Sequence, residues 1–419
     1  MRGRAPWSWA LLVGLALPAS ASGQLLLVPM DRAQENHLRA YGLGYWTLSH
    51  EWKGEWLLNY RGGAFFLPDR PEVRREAAMR GVTVEAVDAG GEARIRATIA
   101  DSNMEAVPLE KAPKVAVYTP PNAAPWDDAV TMALEYAGIE YTTLWDPEVL
   151  DQDLSQYEWI HLHHEDFTGQ YSKFYLTYAG APWLQEEVAR NQDVARTRGF
   201  PSVPALKKAV AAKIRAYVEG GGFVFAMCSA TETLDLALAA GPVDIAAAYS
   251  DGTPPDPDAS SKMDWGNALA FEGAEVQTAP SVNAFSDIDS HQVNTAWRKD
   301  LGVFTLFGFS AKIDPVPAML TQDHESVIPD FYGLTTSFRA DRLKPGVVVL
   351  AREGEWAKYI HGNLGKGTWT FFGGHDPEDP EHQIGDPQTD LALHPNSPGY
   401  RLILNNVLFP AAKKKQLKT

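Results

Sequence analysis

An uninterrupted apolar run at residues 223–228 constrains the fold of this 419-residue chain more than any other feature. Residues 204–219, which precede the run, carry apolar side chains at helical spacing, and three glycines at 220–222 separate the two segments. Other strand-like and helix-like segments alternate around this pair. Strands that are apolar along their whole length are typical of parallel sheets covered by helices on both faces. We therefore predict an α/β fold built on a doubly wound, mostly parallel sheet.

The first 23 residues have the pattern of a cleavable signal peptide. Arg2 and Arg4 precede an apolar run at residues 10–17, and small residues follow up to Gly23. The apolar run is too short to span a membrane, and no cysteine stands at the cleavage site to accept a lipid anchor. We expect a periplasmic or secreted protein that is not inserted in a membrane after cleavage.

The remaining chain divides by pattern into two folded units and a tail. Residues 24–112 alternate short strands and helices and predict a small α/β domain. Residues 113–410 predict the larger domain, with insertions near 165–203 and 250–300. Insertions of this length are usually lids or binding surfaces. Residues 411–419 form a short basic tail.

Charge and cysteine content exclude several classes of function. The chain has 53 acidic and 37 basic residues, a formal net charge of -16, which opposes binding to nucleic acid or to anionic membranes. Cys228 is the only cysteine, so no disulfide forms within the chain. An unpaired thiol in an exported protein indicates either a reactive group or a small buried side chain.

Three predicted strands end in chemically reactive side chains. Cys228 ends the apolar run, and the strand at 368–372 leads through two glycines to His375. The strand at 157–163 ends in a segment rich in histidines and acids, with His161, His163 and His164 in it. Binding sites in open parallel sheets form at the carboxyl ends of the strands. We therefore expect these three strand ends to meet at one edge of the sheet.

Two segments resemble a known superfamily. Residues 217–224 with 228–231, and residues 365–377, resemble the trehalose-utilisation (ThuA-like) branch of the class I glutamine amidotransferase-like superfamily. That resemblance implies a flavodoxin-like sheet and a nucleophile at the strand-to-helix turn. In the ThuA-like branch this position is often histidine, and here it is Cys228, as in amidotransferases.

The chain is also similar over nearly its full length to exported bacterial proteins labelled asparagine synthetase B. Residues 56–63, 161–169 and 394–400 carry that similarity. The label implies amidation of aspartate with glutamine and ATP. The residues do not predict this chemistry, because the only cysteine is internal and no Ser-Gly-Gly-x-Asp-Ser pyrophosphate loop is present.

Our leading hypothesis is a thiol-dependent hydrolase or amidase-like enzyme acting on a small molecule. Cys228 would attack an amide or ester carbonyl, His375 would serve as base and acid, and Glu378 or Asp376 would orient the imidazole. The backbone N–H of Ser229 would donate to the oxyanion. The residues expected to bind substrate are Ser229, His163, His164, Glu165, Asp166 and Gly169. No cofactor and no metal are expected under this hypothesis.

Three alternatives remain open from the sequence. The first is a carbohydrate-binding or carbohydrate-processing protein of the ThuA-like kind, in which aromatic side chains stack on sugar rings. The side chains expected to do so are Trp183, Tyr171, Tyr175 and Tyr178. The second is a metal site built from His163, His164, Glu165 and His375, although their spacing matches no known zinc motif. The third is a non-catalytic scaffold with a sheltered thiol.

Overall fold

The computed structural model of the protein describes residues 25–121, 128–289, 302–380 and 386–413. The predicted signal peptide and residues 414–419 of the predicted basic tail lie outside these ranges. No helix in the described ranges combines the length and the apolar character needed to cross a membrane.

Residues 25–109 form an antiparallel sheet with three helices. The strands are β1 (Leu25–Val28), β2 (Gly54–Leu58), β3 (Ala64–Pro68), β4 (Glu85–Val87) and β5 (Glu105–Leu109). They lie in the order β4-β1-β3-β2-β5, and every pair is antiparallel. The helices are α1 (His37–Ser49), α2 (Pro71–Arg80) and α3 (Ala89–Asp101). Asn36 caps α1 by accepting the N–H of Arg39.

The second sheet has nine strands within the described residues. They are β6 (Val115–Tyr118), β7 (Tyr141–Leu144), β8 (Trp159–Leu162), β9 (Phe223–Met227), β10 (Val303–Leu306), β11 (Val327–Pro329), β12 (Val348–Glu353), β13 (Trp356–Leu364) and β14 (Gly367–Phe372). Their order is β11-β10-β12-β13-β14-β9-β8-β6-β7.

Helices flank this sheet and connect its strands. They are α4 (Ala129–Ala137), α5 (Asp146–Asp151), α6 (Tyr175–Tyr178), α7 (Pro182–Thr197), α8 (Val203–Gly220), α9 (Ser229–Ala240), α10 (Ala248–Asp251), α11 (Ala259–Lys262), α12 (Pro315–Leu320) and α13 (Pro398–Leu408). Ser202 caps α8 through the N–H of Ala205, and α8 ends at the glycines that the sequence indicated.

The prediction of a doubly wound, mostly parallel, flavodoxin-like sheet is wrong. Only the half β14-β9-β8-β6-β7 is parallel, while β11, β10, β12, β13 and β14 pair antiparallel. Strand β13, which the sequence pattern did not identify, joins β12 and β14 through two tight turns. Gly354 and Gly365 adopt positive φ in these turns, 56° and 58°, a conformation that glycine takes without steric cost.

The parallel half of the sheet is buried on both faces. Along β9, Phe223, Phe225 and Met227 pack into a core shared with α1, α4 and α13. The alternate residues Val224 and Ala226 pack into a second core with α8 and α9. This period of two explains why the strand reads as continuously apolar.

The first of these cores is continuous across the predicted domain boundary. It includes side chains of the first sheet, such as Trp56 and Phe65, together with Leu134 of α4 and Leu404 of α13. The domain boundary predicted between residues 112 and 113 stays a prediction. In the structure, side chains from both sheets pack around the same helices.

Candidate active site

The three reactive strand ends lie side by side, as the sequence predicted. Strand β9 pairs parallel with β14, where Met227 lies opposite Phe372. It also pairs parallel with β8, where Ala226 lies opposite Leu162. The carboxyl ends of β8, β9 and β14 thus form one continuous edge, and the next residues of each strand meet there.

Cys228 lies at a strained turn between β9 and α9. Its backbone has φ 50° and ψ −138°, a region that residues with a side chain rarely occupy. Its N–H donates to the carbonyl oxygen of Gly374 at 3.2 Å, which ties the turn to the end of β14. This is the sharp strand-to-helix geometry that the sequence predicted.

The sulfur of Cys228 lies beneath a loop. The residue is 1% exposed, and its Sγ accepts the N–H of Leu334 at 3.2 Å. A Cβ atom added to Gly333 would lie 2.9 Å from Sγ, so only glycine lets the loop pass this close. Burial raises the pKa of the Cys228 thiol, while the N–H groups of Leu334, Thr335 and Ser229 act in the lowering direction. The geometry favours a covered, protonated thiol over the reactive thiolate we expected.

Three imidazoles meet at the same edge. The rings of His163 and His375 have centroids 4.5 Å apart, and those of His163 and His164 are 5.3 Å apart. The rings of His164 and His375 stack with centroids 5.8 Å apart. One ring nitrogen from each of the three residues lies within 4.8 Å of the others, which is close enough for all three to bind one metal ion. The main-chain N–H of His375 donates to the carbonyl of Tyr332 at 2.7 Å and so fixes this strand end.

The orientation of His163 follows from a chain of hydrogen bonds behind it. His161 Nδ1 lies 3.0 Å from the carbonyl oxygen of Phe225, which can only accept, so this nitrogen carries a proton. In a neutral ring the other nitrogen, His161 Nε2, then accepts, and it lies 3.3 Å from His163 Nδ1. The carboxylate of Asp128 lies 3.3 Å from the same His163 Nδ1. In the neutral form of His163, both neighbours place its proton on Nδ1 and leave the lone pair on Nε2.

The Nε2 atom of His163 points away from this chain of bonds. It is buried, and it has no hydrogen-bond partner among the described residues. A buried nitrogen with a free lone pair is costly unless something binds it. A histidine that donates one ring N–H to a carboxylate while the other nitrogen holds a metal is a common arrangement in metalloproteins.

Burial and neighbouring charges together set the pKa values of the groups around His163. Burial acts to raise the pKa of Asp128, but the neighbouring His163 and His161 outweigh it and hold that pKa well below the usual range. Burial lowers the pKa of His161. For His163 burial also acts to lower the pKa, and Asp128 reverses the direction so that it is raised. Burial, followed by the charge of Asp128, raises the pKa of Glu165 to about 7.

The predicted orienting carboxylates are engaged elsewhere. Asp376 is fully buried and accepts the hydroxyl of Tyr400 at 2.8 Å, the hydroxyl of Thr389 at 2.8 Å and the N–H of Glu378 at 2.9 Å. Glu378 lies 2.9 Å from His394 Nδ1. Both carboxylates thus hold the chain around the turn, and their expected role in orienting the His375 ring stays a prediction. The predicted dyad of Cys228 and His375 stays a prediction.

The residues predicted to bind substrate separate into two groups. His164, Glu165, Asp166 and Gly169 line a cavity of about 450 Å³. His163 and Ser229 do not line it, and both are fully buried. Ser229 lies in the core at the start of α9, and its hydroxyl has no partner among the described residues. Of the four lining residues, Asp166 also shapes its own loop, since its carboxylate accepts the N–H groups of Thr168, Gln170 and Ser172.

The sequence did not identify Asp128 as part of the site. It is the N-cap residue of α4, and its side chain accepts the N–H groups of Val130 and Thr131. The sequence could have pointed to Asp128, because the helix that follows a strand of a parallel sheet begins at the carboxyl edge of that sheet. An N-cap carboxylate there can reach the strand ends next to it.

Comparisons with known proteins leave the family open. No protein-family model matches the chain, and no curated protein sequence matches it significantly. Among solved structures, a cytoplasmic protein from Salmonella typhimurium LT2 aligns with a TM-score of 0.36 at 12% identity, covering 72% of this chain and 100% of that one. A glutamine amidotransferase from Thermotoga maritima aligns with a TM-score of 0.26 at 9% identity, covering 62% of this chain and 74% of that one.

A third structure, a beta-galactosidase from Bacillus circulans sp. alkalophilus, aligns with a TM-score of 0.25 at 12% identity. That alignment covers 62% of this chain and 28% of the beta-galactosidase. All three TM-scores are too low to support an assignment of fold or function. The resemblance to the ThuA-like branch therefore stays a prediction.

Proposed function

We propose that the protein is a metal-dependent hydrolase whose metal ion is bound by His163, His164 and His375. The observation that carries the proposal is the meeting of these three imidazoles, with ring nitrogens within 4.8 Å of one another. Three protein ligands with a further position left for water or substrate are typical of catalytic zinc sites, whereas structural sites use four. Imidazole is a ligand that suits zinc.

The surroundings of the histidines support a catalytic role. His164 and Glu165 line the cavity of about 450 Å³, so a small molecule in the cavity reaches one of the three histidines, His164, directly. His163 is fully buried and held by Asp128, which keeps its free nitrogen in place. A zinc ion in such a site activates water and polarises a carbonyl group. The reaction class we propose is the hydrolysis of an amide or ester, in which water cleaves the bond to give an acid and an amine or alcohol.

Zinc binding tests the proposal directly. Chelator-treated protein should take up one zinc ion per chain, measured by elemental mass spectrometry after removal of free metal. His163→Ala and His375→Ala should abolish this uptake because each removes a ligand. Asp128→Asn should weaken the affinity for zinc by about 10–100-fold, since it loosens the orientation of His163 without removing a ligand.

His50→Ala is the matched control, because His50 is an exposed histidine whose ring contacts Trp46 and Trp52. Circular dichroism should show that all four variants are folded. Equal zinc uptake by the wild type and by folded His163→Ala and His375→Ala would overturn the assignment of these histidines as ligands.

A thiol hydrolase is the second candidate, and the strained backbone of Cys228 favours it. A residue with φ 50° and ψ −138° at the end of a central strand is costly and needs a reason. The N–H of Leu334 donates to the sulfur at 3.2 Å, and the N–H groups of Thr335 and Ser229 also act to lower the pKa of the thiol. Such donors would stabilise negative charge on sulfur or on an oxyanion next to it.

Activity of Cys228→Ala separates the two candidates. Hydrolysis of p-nitrophenyl esters and p-nitroanilides, followed by the colour of the product, should persist in Cys228→Ala and disappear in His163→Ala. Because Cys228 is buried with a raised pKa, iodoacetamide should label native protein more slowly than a free model thiol near pH ~6.5. Fast labelling together with an inactive Cys228→Ala would decide for the thiol enzyme.

A further inference from the structure

One face of helix α7 lines the cavity that His164 also lines. The lining residues of this helix are Trp183, Glu186, Glu187, Arg190 and Asn191. Their spacing of three, one, three and one residues places them on one side of a helix. A helix face normally presents apolar residues to the protein interior. Here it presents one aromatic and four polar side chains to the cavity, so the face is built for contact with a ligand or solvent.

Aromatic side chains form much of the cavity wall. They are Trp145, Tyr171, Phe174 and Trp183. Phe174 and Trp183 pack edge to face, with ring centroids 6.4 Å apart, which holds both rings in position. Aromatic faces carry negative electrostatic potential and attract organic cations as well as apolar surfaces.

The charged groups of the cavity give an excess of negative charge. The lining carboxylates are Glu165, Asp166, Glu186 and Glu187. The lining cations are Arg190 and Lys207, and Lys207 already donates to Asp146 at 2.8 Å and to the hydroxyl of Tyr118 at 3.0 Å. Four carboxylates therefore face two cations, one of which is neutralised by a further carboxylate. The net charge of -16 on the chain adds to the attraction for a cation.

Two buried polar atoms on lining residues have no partner among the described residues. They are the hydroxyl oxygen of Tyr171 and the Oδ1 atom of Asn191. Tyr171 is 3% exposed and Asn191 is 5% exposed. The other amide atom of Asn191, Nδ2, donates to the carbonyl of Glu187 at 2.9 Å, so Oδ1 is held as an acceptor. Buried acceptors without a donor indicate that a ligand supplies one.

We propose that this cavity binds a small organic cation, a primary amine or guanidinium carried on an apolar body. The ammonium group donates to Asn191 Oδ1, the Tyr171 hydroxyl and the carboxylate of Glu187, and the apolar body lies against Trp183 and Phe174. This ligand is the substrate of the hydrolase proposed above, so its role as a substrate rests on that proposed function. Binding itself does not require the metal ion.

Glu187 and the loop beside it support the proposal independently. Burial raises the pKa of Glu187 to about 7, and a bound cation would reverse part of that shift. Of the loop residues, Tyr171 and Ser172 line the cavity. Three consecutive residues of this loop, Tyr171, Ser172 and Lys173, have positive φ values of 55°, 54° and 60°. This strained turn is held by Asp166, whose carboxylate accepts the N–H of Ser172 at 2.9 Å.

Three ligands of similar shape and different charge test the proposal. Benzylamine, benzyl alcohol and benzoate should be titrated into chelator-treated protein and followed by ligand-observed NMR. Ligand efficiency predicts a dissociation constant of about 1 mM for benzylamine, with much weaker binding of the alcohol and of benzoate. Equal affinity for benzyl alcohol would overturn the proposal, as would a preference for benzoate. So would the failure of benzylamine, tyramine and agmatine to bind below about 10 mM.

Substitutions of the lining residues test which side chains contact the bound amine. Glu187→Gln should weaken benzylamine binding roughly tenfold and Tyr171→Phe roughly threefold, because each removes one partner of the ammonium group. Asp193→Asn is the matched control, since Asp193 is an exposed carboxylate on the same helix that pairs with Arg196 instead of lining the cavity. Unchanged affinity in folded Glu187→Gln would contradict the proposal.

The two proposals can fail separately. His163→Ala should lose zinc uptake and keep benzylamine binding, whereas Glu187→Gln should keep zinc uptake and lose affinity for benzylamine. If zinc does not bind while benzylamine does, the metal-dependent function fails and the cation cavity stands. The reverse outcome overturns the cavity proposal alone.

Discussion

Glu232 illustrates how surroundings set the chemistry of a single residue in this protein. It lies in the first turn of α9, four positions after Cys228, and is 1% exposed. Its carboxylate accepts the hydroxyl of Thr335 at 2.9 Å and that of Ser286 at 2.5 Å. Thr335 belongs to the loop that covers the sulfur, so Glu232 anchors that loop from below. Burial, followed by the charge of Asp289, raises the pKa of Glu232 to about 8.

Glu232 should therefore make the stability of the protein depend on pH. The folded-state pKa of about 8 exceeds the ordinary value of 4.5, so the folded chain holds this proton more tightly than the unfolded chain. Its contribution is fully present below the unfolded pKa and is lost as pH rises through the folded pKa. Glu232→Gln, which keeps the shape and cannot ionise, should reduce the fall in unfolding free energy between about pH 5 and 8 by at least ~1 kcal/mol.

Urea denaturation at several pH values measures this effect. Glu140→Gln serves as the control, because Glu140 is exposed and its replacement should leave the pH profile of the wild type unchanged. Parallel profiles for the wild type and Glu232→Gln would show that Glu232 is ionised in the folded protein at neutral pH.

At the scale of single helices and strands, two glycines show how local packing restricts which residue a position accepts. In the hairpin of β13 and β14, a Cβ atom added to Gly362 would lie 2.3 Å from the ring of Trp369 on the neighbouring strand. In α1, a Cβ atom added to Gly44 would meet nothing within 4 Å. Packing therefore requires glycine at position 362. At position 44 glycine makes no required contact and only adds conformational entropy to the unfolded chain.

These two glycines predict opposite effects of one substitution. Gly44→Ala should stabilise the protein by about 0.5–1 kcal/mol, because alanine favours the helix and restricts the unfolded chain. Gly362→Ala should destabilise it by about 1–3 kcal/mol, because the indole ring must move. Urea denaturation of both variants measures the difference, and each serves as the control for the other. A stabilised Gly362→Ala would contradict the close contact with Trp369.

The sequence predicted several elements well and missed one that decides the sheet. The helix expected at residues 204–219 is found as Val203–Gly220, and the strand expected at 223–228 is found as Phe223–Met227. Strand β13, Trp356–Leu364, was missed although glycines at 354 and 365 mark turns on both sides of it. Its residues are mostly buried on both faces, so they show no alternation of apolar and polar side chains to identify a strand.

At the scale of the whole molecule, a buried arginine joins the last helix to the first sheet. Arg401 of α13 is fully buried, and it donates to the carbonyl of Met30 at 2.7 Å and to the carbonyl of Gly62. Its Nε lies 3.3 Å from the hydroxyl of Tyr41 in α1. Residues more than 300 positions apart along the chain are thereby held around one side chain.

Replacing this arginine should destabilise the protein as a whole. Arg401→Met keeps much of the volume and leaves the two carbonyl groups without a donor, which should cost about 3 kcal/mol of unfolding free energy. Arg401→Lys should fall between the wild type and Arg401→Met, because it keeps the charge and loses the planar fork. Denaturation followed by circular dichroism measures both. An unchanged midpoint in Arg401→Met would mean that this contact contributes nothing to the joining of the two sheets.

The sequence by itself determined the local features of this protein. The period of apolar residues placed α8 and β9, and the order of strand ends indicated that Cys228, His163, His164 and His375 would meet. These predictions succeeded because helix spacing, strand burial and the polarity of parallel strands depend on residues close together in the chain.

Only the tertiary structure decided that half of the large sheet pairs antiparallel and which chemical groups surround the side chains at its carboxyl edge. The pairing of β13, the loop over Cys228 and the contact of Asp128 with His163 each join segments that are distant along the chain. The pKa of a buried group and the free nitrogen of a ring depend on such neighbours, because charge and hydrogen bonds act across space and not along the sequence. For that reason His375, which the sequence suggested as the base of a thiol enzyme, is found in the folded protein beside His163 and His164.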